Sequence, residues 1–223
     1  MFLWLLMTAA GFLSGSVMYS YFIPKLIRDV DVRQDHEDAN PGSSNAMDAA
    51  GLPIGLACLV LDLFKAFAPV FIAVSLLGIR GMPLAPVIVA PVLGHAFSPF
   101  LRFKGGKAVA SSFGALLGAV LISRMVFILV LAMLLFQFVL VFSPNAAKVL
   151  AGYACACIAA FLIEPLPEIR LAVLLICLIV CYKHVRHFGS DRVGLNVGPL
   201  AIFSVSYEDR ELKFIGPGVN KKQ

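Results

Sequence analysis

Gly94-His95-Ala96-Phe97-Ser98-Pro99-Phe100-Leu101-Arg102-Phe103-Lys104-Gly105-Gly106-Lys107 is the stretch on which the reading of this chain turns. An apolar run ends in a basic, glycine-paired loop, and the sequence turns apolar again at Ala108. Two adjacent glycines let the backbone curl so that successive N–H groups aim at one point. A helix starting at Ala108 aims its positive end at the same point. With Arg102, Lys104 and Lys107 around it, the loop predicts an anion site, phosphate above all, at the end of a hydrophobic segment.

The same alternation of apolar run and polar break continues on both sides. Apolar stretches fall at about residues 2–24, 50–78, 83–101, 108–123, 125–142, 149–163 and 168–183. Of the 223 residues, 60% are hydrophobic and 14% charged, with a mean hydropathy of +0.92. Soluble domains run at about 45–50% apolar and about 25% charged, so this composition predicts a polytopic membrane protein. The expected fold is all-α, with about seven transmembrane helices. One domain covers 1–198, and a C-terminal tail covers 199–223 with a short strand at Leu200–Tyr207. Several stretches are shorter than the ~20 residues of a comfortable span. At Ser123-Arg124 the alternative to a break is one bent helix. Met1–Leu6 lacks the basic start of a signal peptide and reads as the first membrane helix.

Seven spans place alternate loops on opposite sides. One set holds 25–49, 102–107, 143–148 and everything from 183 onward, with fourteen Lys and Arg residues: Lys25, Arg28, Arg33, Arg102, Lys104, Lys107, Lys148, Lys183, Arg186, Arg192, Arg210, Lys213, Lys221 and Lys222. The other set holds three, Arg80, Arg124 and Arg170, and Lys65 is left inside a span. By the positive-inside rule the N-terminus is outside and the C-terminus cytoplasmic, so the loops 25–49, 102–107, 143–148 and 183–198 share the cytoplasmic face. The net charge of +5 is then a matter of topology, and no nucleic-acid partner is expected.

Other polar groups are candidates for the same site. Asn40-Pro41-Gly42 sets a turn, and Ser43, Ser44 and Asn45 then stand ahead of a helix, either as ordinary caps or as a wall facing the 102–107 loop. Asp62 and Lys65 share one face of the second span, either as a self-neutralising pair or with Lys65 reaching into the cavity. His95 is either a ligand or a buttress for the loop that follows. His187 and Asp191 make an H-x-x-x-D spacing of the kind in which histidine serves as base. The five cysteines, Cys58, Cys155, Cys157, Cys177 and Cys181, lie in apolar stretches, odd in number and without loop spacing. They read as core residues, so neither a disulfide framework nor a metal is expected.

The 94–111 stretch resembles the second motif of the PlsY-type acyl-phosphate:glycerol-3-phosphate acyltransferases, roughly G-H-x-F-P-x-F-x-x-F-K-G-G-K-G-V-A-T. Eleven of its eighteen positions match: Gly94, His95, Phe97, Phe100, Phe103, Lys104, Gly105, Gly106, Lys107, Val109 and Ala110. Ser98 stands for a proline, Ala108 for a glycine and Ser111 for a threonine. Gly15-Ser16 resembles the family's G-S-I-P, Asp31-Val32-Arg33 its D-I-R, and Asp62-Leu63-Phe64-Lys65 its D-L-L-K-G. Against the first motif, G-S-G-N-P-G-A-T-N, the chain has Asp38 at the serine, and Asp48 stands where an arginine follows. Against the third, H-R-E-N-I, His184 matches, His187 stands at the asparagine, and Asn196 falls near a downstream glutamate.

The resemblance implies a multi-pass enzyme of the bacterial cytoplasmic membrane that acylates glycerol 3-phosphate from an acyl phosphate, giving lysophosphatidic acid for phospholipid synthesis without a cofactor. It implies phosphate or substrate contacts at Asn40, Gly42, Asn45, Lys65, His95, Arg102, Lys104, Gly105, Gly106, Lys107 and Ser111. Catalytic roles fall to His184, His187, Ser43 and Ser44. The alternative is a divergent paralogue that binds a phosphorylated ligand without turnover, or that acylates another acceptor.

Overall fold

The computed structural model describes residues 2–34, 39–143, 145–185, 193–197, 200–208 and 211–215, with side chains over 2–34, 39–140 and 145–185. The seven apolar stretches fold mainly as helix, the fifth running into a strand at Leu140. The first is broken into α1 (Leu3–Ser16) and α2 (Tyr19–Arg28). After a short α3 (Ser43–Ala50) comes α4 (Leu52–Phe71), which continues through a π-helical turn at Ile72–Leu76. Then follow α5 (Leu84–Ala96), a 3₁₀ turn at Pro99–Leu101, α6 (Val109–Gly118), α7 (Met125–Leu134) with a π-helical turn at Leu135–Val139, α8 (Asn145–Ile163) and α9 (Pro167–Val185).

Among the described residues, four helical stretches are long and apolar enough to cross a membrane: Leu3–Arg28, Leu52–Leu76, Leu84–Leu101 and Asn145–Ile163. In the shortest of these, at 18 residues, α5 supplies 13 residues and about 20 Å of rise before the 3₁₀ turn at Pro99–Leu101. The helix Val109–Gly118 and the stretch Met125–Val139 are apolar but shorter. α9 carries Glu168 in its first turn and Lys183 and His184 in its last. The break near Ser123-Arg124 is real: α6 ends at Gly118, and Arg124 caps the start of α7. Ser123 Oγ donates to the buried carboxylate of Glu164, which ties that turn to the turn between α8 and α9.

The body is helical, and the strands lie at 140–143 and in the tail. β1 (Leu140–Ser143), β2 (Val193–Val197), β3 (Leu200–Glu208) and β4 (Glu211–Ile215) form one antiparallel sheet in that order. The strand expected at Leu200–Tyr207 is β3. The paired strands β2 and β3 fall on either side of the expected boundary at 198/199.

Small side chains let the helices approach closely, as packing without a hydrophobic driving force requires. A Cβ on Gly15 would overlap the Pro91 carbonyl, and one on Gly94 the Phe12 carbonyl, so α1 and α5 press backbone on backbone. Inside lipid, a broken helix must still satisfy its backbone groups. Ser98 Oγ donates to the Ser16 carbonyl at 2.6 Å, and Lys65 Nζ donates to the Val17 carbonyl, so the break between α1 and α2 is capped from α4 and from the segment after α5. Lys65 also pairs with Asp62 at 2.7 Å, and Asp62 in turn accepts from Ser20. Lys65 is thus a buried cation bonded to the end of α1 and to Asp62.

Candidate active site

The glycine loop is built from tight turns. Arg102 and Phe103 follow the Pro99–Leu101 turn with left-handed backbones, φ 52° and 62°, and Ala108 at the N-cap of α6 has φ 63°. Phe103 N–H donates to Ser98 O at 2.8 Å and Lys104 N–H to Leu101 O at 3.0 Å. Gly106 N–H donates to His95 O at 3.1 Å. That last bond corrects the expected curl of free amides around one point, because the Gly106 amide is committed to the protein.

The glycines are needed for room, not for φ. Neither Gly105 nor Gly106 has a positive φ. A Cβ on Gly105 would overlap the His95 carbonyl oxygen, and one on Gly106 would overlap His95 Nε2. His95 is therefore the floor of the loop, buried beneath it. Its Nδ1 finds no hydrogen-bond partner among the described residues. From α9, Lys183 Nζ reaches the same loop and donates to Ala96 O at 3.0 Å and Gly105 O at 2.9 Å.

Two cavities open beside the loop. One, of about 370 Å³, is lined by Tyr21, Arg33, Phe100, Leu101, Arg102 and Lys104. The other, of about 300 Å³, is lined by Asp31, Arg33, Gln34, Ala39 and Lys104. Arg33 and Lys104 line both. Arg33 is held in place: its Nε and Nη2 donate to the two Asp31 oxygens at 2.9 and 2.6 Å, Nη2 also donates to the Tyr21 hydroxyl at 3.1 Å, and its guanidinium lies 4.3 Å from the centre of the Tyr21 ring. The Arg33 hydrogen bond lowers the Asp31 carboxyl below the ordinary carboxylate range, and the same contact raises Arg33. A fixed guanidinium and a lysine shared by two cavities are the groups that can pair with oxyanions.

The remaining expected residues are distributed as follows. Arg102 and Lys104 are exposed at the cavities, and Lys107 is half-buried beyond the glycines. Gly42 is the N-cap of α3, Gly42 N–H and Asn45 Nδ2 both bond the Asn40 carbonyl, and Ser43 and Ser44 open the helix. This segment starts directly after Ala39 but lines neither cavity itself. Asp48 is exposed on α3 and lines neither cavity. Ser111 is buried with its hydroxyl on the Ala108 carbonyl, a local cap rather than a ligand. His184 is buried, with Nδ1 2.8 Å from the Val180 carbonyl of its own helix. Asp38, His187 and Asp191 lie outside the described residues, and the Asn196 side chain is likewise not described.

Sequence reasoning passed over Arg33 and Lys183 as site residues: Arg33 entered as topological charge and as part of the D-I-R resemblance, Lys183 as topological charge alone. The signal for Arg33 was the carboxylate two positions before it, which fixes an arginine at the membrane boundary.

The glycerol-3-phosphate acyltransferase family model matches residues 5–190. The glycerol-3-phosphate acyltransferase of Shouchella clausii is 32% identical over 183 residues, covering 80% of this chain and 87% of that protein. The chain belongs to the glycerol-3-phosphate acyltransferase family. The family match spans α1 to α9 and stops short of β2. Glycerol-3-phosphate acyltransferase 1 of Thermotoga maritima is 48% identical over 106 residues, 47% of this chain; there the match spans about half of the relative, 51%. The crystal structure of PlsY, an integral membrane glycerol 3-phosphate acyltransferase, in its glycerol 3-phosphate form superposes with a TM-score of 0.72 at 26% identity, covering 82% of this chain and 89% of that one. Its lysophosphatidic acid form gives 0.70. The helical body described above thus has the fold of that integral membrane protein.

Proposed function

We propose that the chain transfers an acyl group from an acyl phosphate to a hydroxyl of glycerol 3-phosphate, giving lysophosphatidic acid. The observation that carries this reading is the pair of cavities sharing Arg33 and Lys104. The larger adds Phe100, Leu101 and Tyr21, an amphipathic lining suited to a donor whose chain enters from the lipid. The smaller is lined by four polar residues, Asp31, Arg33, Gln34 and Lys104, with Ala39, and suits the soluble acceptor. Arg33, Arg102 and Lys104 hold the phosphates, with the N-terminus of α3 at Ser43 and Ser44 close by in the chain. The backbone of Gly105, Gly106 and Lys107 sets where Lys104 points.

In the reaction the acceptor oxygen attacks the acyl carbon, the bond from that carbon to the phosphate oxygen breaks, and inorganic phosphate leaves with the hydroxyl proton. A mixed anhydride is already activated, so placement and charge stabilisation carry the catalysis, and no buried histidine is required. The basic loops face the cytoplasm of a bacterial cell, with the N-terminus outside and the helices counted as seven passes.

The test is purified protein in lipid nanodiscs with an acyl phosphate and labelled glycerol 3-phosphate. Lysophosphatidic acid should form, and Arg33→Ala and Lys104→Ala should each lower kcat/KM about 10- to 100-fold, the loss of one charge-assisted bond at about 1.5–3 kcal/mol. Folded protein that binds glycerol 3-phosphate without turnover would replace this reading with that of a binding paralogue.

A further inference from the structure

The oxygen of the Gly105–Gly106 peptide and its N–H are both taken. Lys183 Nζ donates to the Gly105 carbonyl at 2.9 Å, and Gly106 N–H donates to the His95 carbonyl at 3.1 Å. One peptide plane is therefore held at both edges, by α9 on one side and by α5 on the other. The same ammonium donates to the Ala96 carbonyl at 3.0 Å and lies 5.5 Å from the centre of the Phe97 ring. Ala96 closes α5, so its carbonyl has no partner within that helix, and a cation at this helix end is favoured twice, by the bond and by the dipole. Rotating the Gly105–Gly106 plane would break both of its bonds, and neither glycine has a side chain to resist that rotation. The restraint has to come from outside the loop.

We infer that Lys183 is a positioning residue: it locks the Gly105–Gly106 peptide and through it sets where Lys104 meets the substrate phosphate. The inference rests on the acyltransferase reading above for its substrate but not for its geometry. Lys183 acts on phosphate binding without lining either cavity.

The experiment compares wild type, Lys183→Met and Lys183→Arg in nanodiscs, by steady-state kinetics and by amide hydrogen exchange at Gly106. Methionine keeps the stem against Phe97 and removes the donors; arginine keeps donors. Lys183→Met should raise the KM for glycerol 3-phosphate about tenfold with kcat within about threefold, and Lys183→Arg should restore KM to within about threefold. Exchange at Gly106 should quicken at least about tenfold in the methionine variant and not in the arginine variant. An unchanged KM in Lys183→Met, with only a lower Tm, would overturn the inference, and so would unchanged exchange. If the wild type makes no lysophosphatidic acid, the acyltransferase reading falls, and the exchange rates alone decide whether Lys183 holds the loop.

Discussion

Lys65 donates to the carbonyl oxygen of Val17, 48 residues earlier in the chain, and so caps the end of α1 from inside α4. The break in the first membrane helix and the charge in the second are one feature. Asp62 keeps the cation in place at 2.7 Å, and Ser20, in the first turn of α2, completes the carboxylate. Lys65→Met should cost about 3–5 kcal/mol, because it strands both a buried carboxylate and a backbone carbonyl. The double change Asp62→Asn, Lys65→Met should cost less than Lys65→Met alone, since only the carbonyl is then left. Thermal unfolding in detergent checks both; a single variant within about 1 kcal/mol of wild type would contradict the capping role.

Asp31 makes stability depend on acid in a defined direction. Its folded pKa is lowered by the Arg33 hydrogen bond. The stabilisation is thus present above the unfolded pKa and lost as the pH falls through the lower folded one. The difference in Tm between wild type and Asp31→Asn should be flat from about pH 7 to about pH 5 and shrink only below about pH 4. A difference already shrinking at pH 6 would mean that Arg33 does not hold the carboxylate.

Ala108 stands at φ 63° with its methyl buried, where the family motif has glycine. A left-handed backbone costs a non-glycine residue about 1–2 kcal/mol, and the buried methyl returns about 0.8 kcal/mol. Ala108→Gly should therefore be neutral or stabilising by up to about 1 kcal/mol. Ala108→Val should destabilise by at least about 2 kcal/mol, because branching at Cβ worsens the same strain and overfills the core. Chemical denaturation of the two variants measures the contrast.

The helices were legible because a membrane leaves few choices: a long apolar run must satisfy its own backbone, so the apolar stretches became mainly helix. What hydropathy did not reveal was length, since α6 stops at Gly118, five residues before the end of its apolar stretch. The glycine loop was legible as a basic break, yet a glycine pair reads alike whether it serves φ or clearance, and here only the fold around His95 decides. Arg33 sits among Asp29, Asp31, Asp35 and Asp38 in a run that reads as a solvated loop. Only the Tyr21 ring beneath it and the cavities beside it set it apart. His184 shows the converse: a motif match draws attention to a side chain whose Nδ1 turns back to Val180 in its own helix.

The two glycines meet different atoms of one residue, and that difference can be tested. A Cβ on Gly106 meets the His95 imidazole at Nε2, whereas a Cβ on Gly105 meets the His95 backbone oxygen. Overfilling of this kind costs about 1–3 kcal/mol where neighbours can shift, and more where they are backbone. Gly106→Ala should therefore be destabilising alone and largely recovered when combined with His95→Ala, since truncating the ring clears the space the methyl needs. Gly105→Ala should gain nothing from the same partner, because every residue at position 95 carries the same carbonyl. Lysophosphatidic acid formation should follow stability in this set, with the Gly106→Ala, His95→Ala double variant more active than Gly106→Ala. Equal rescue of both glycine variants would show that the ring, and not the backbone of His95, limits the approach at both positions.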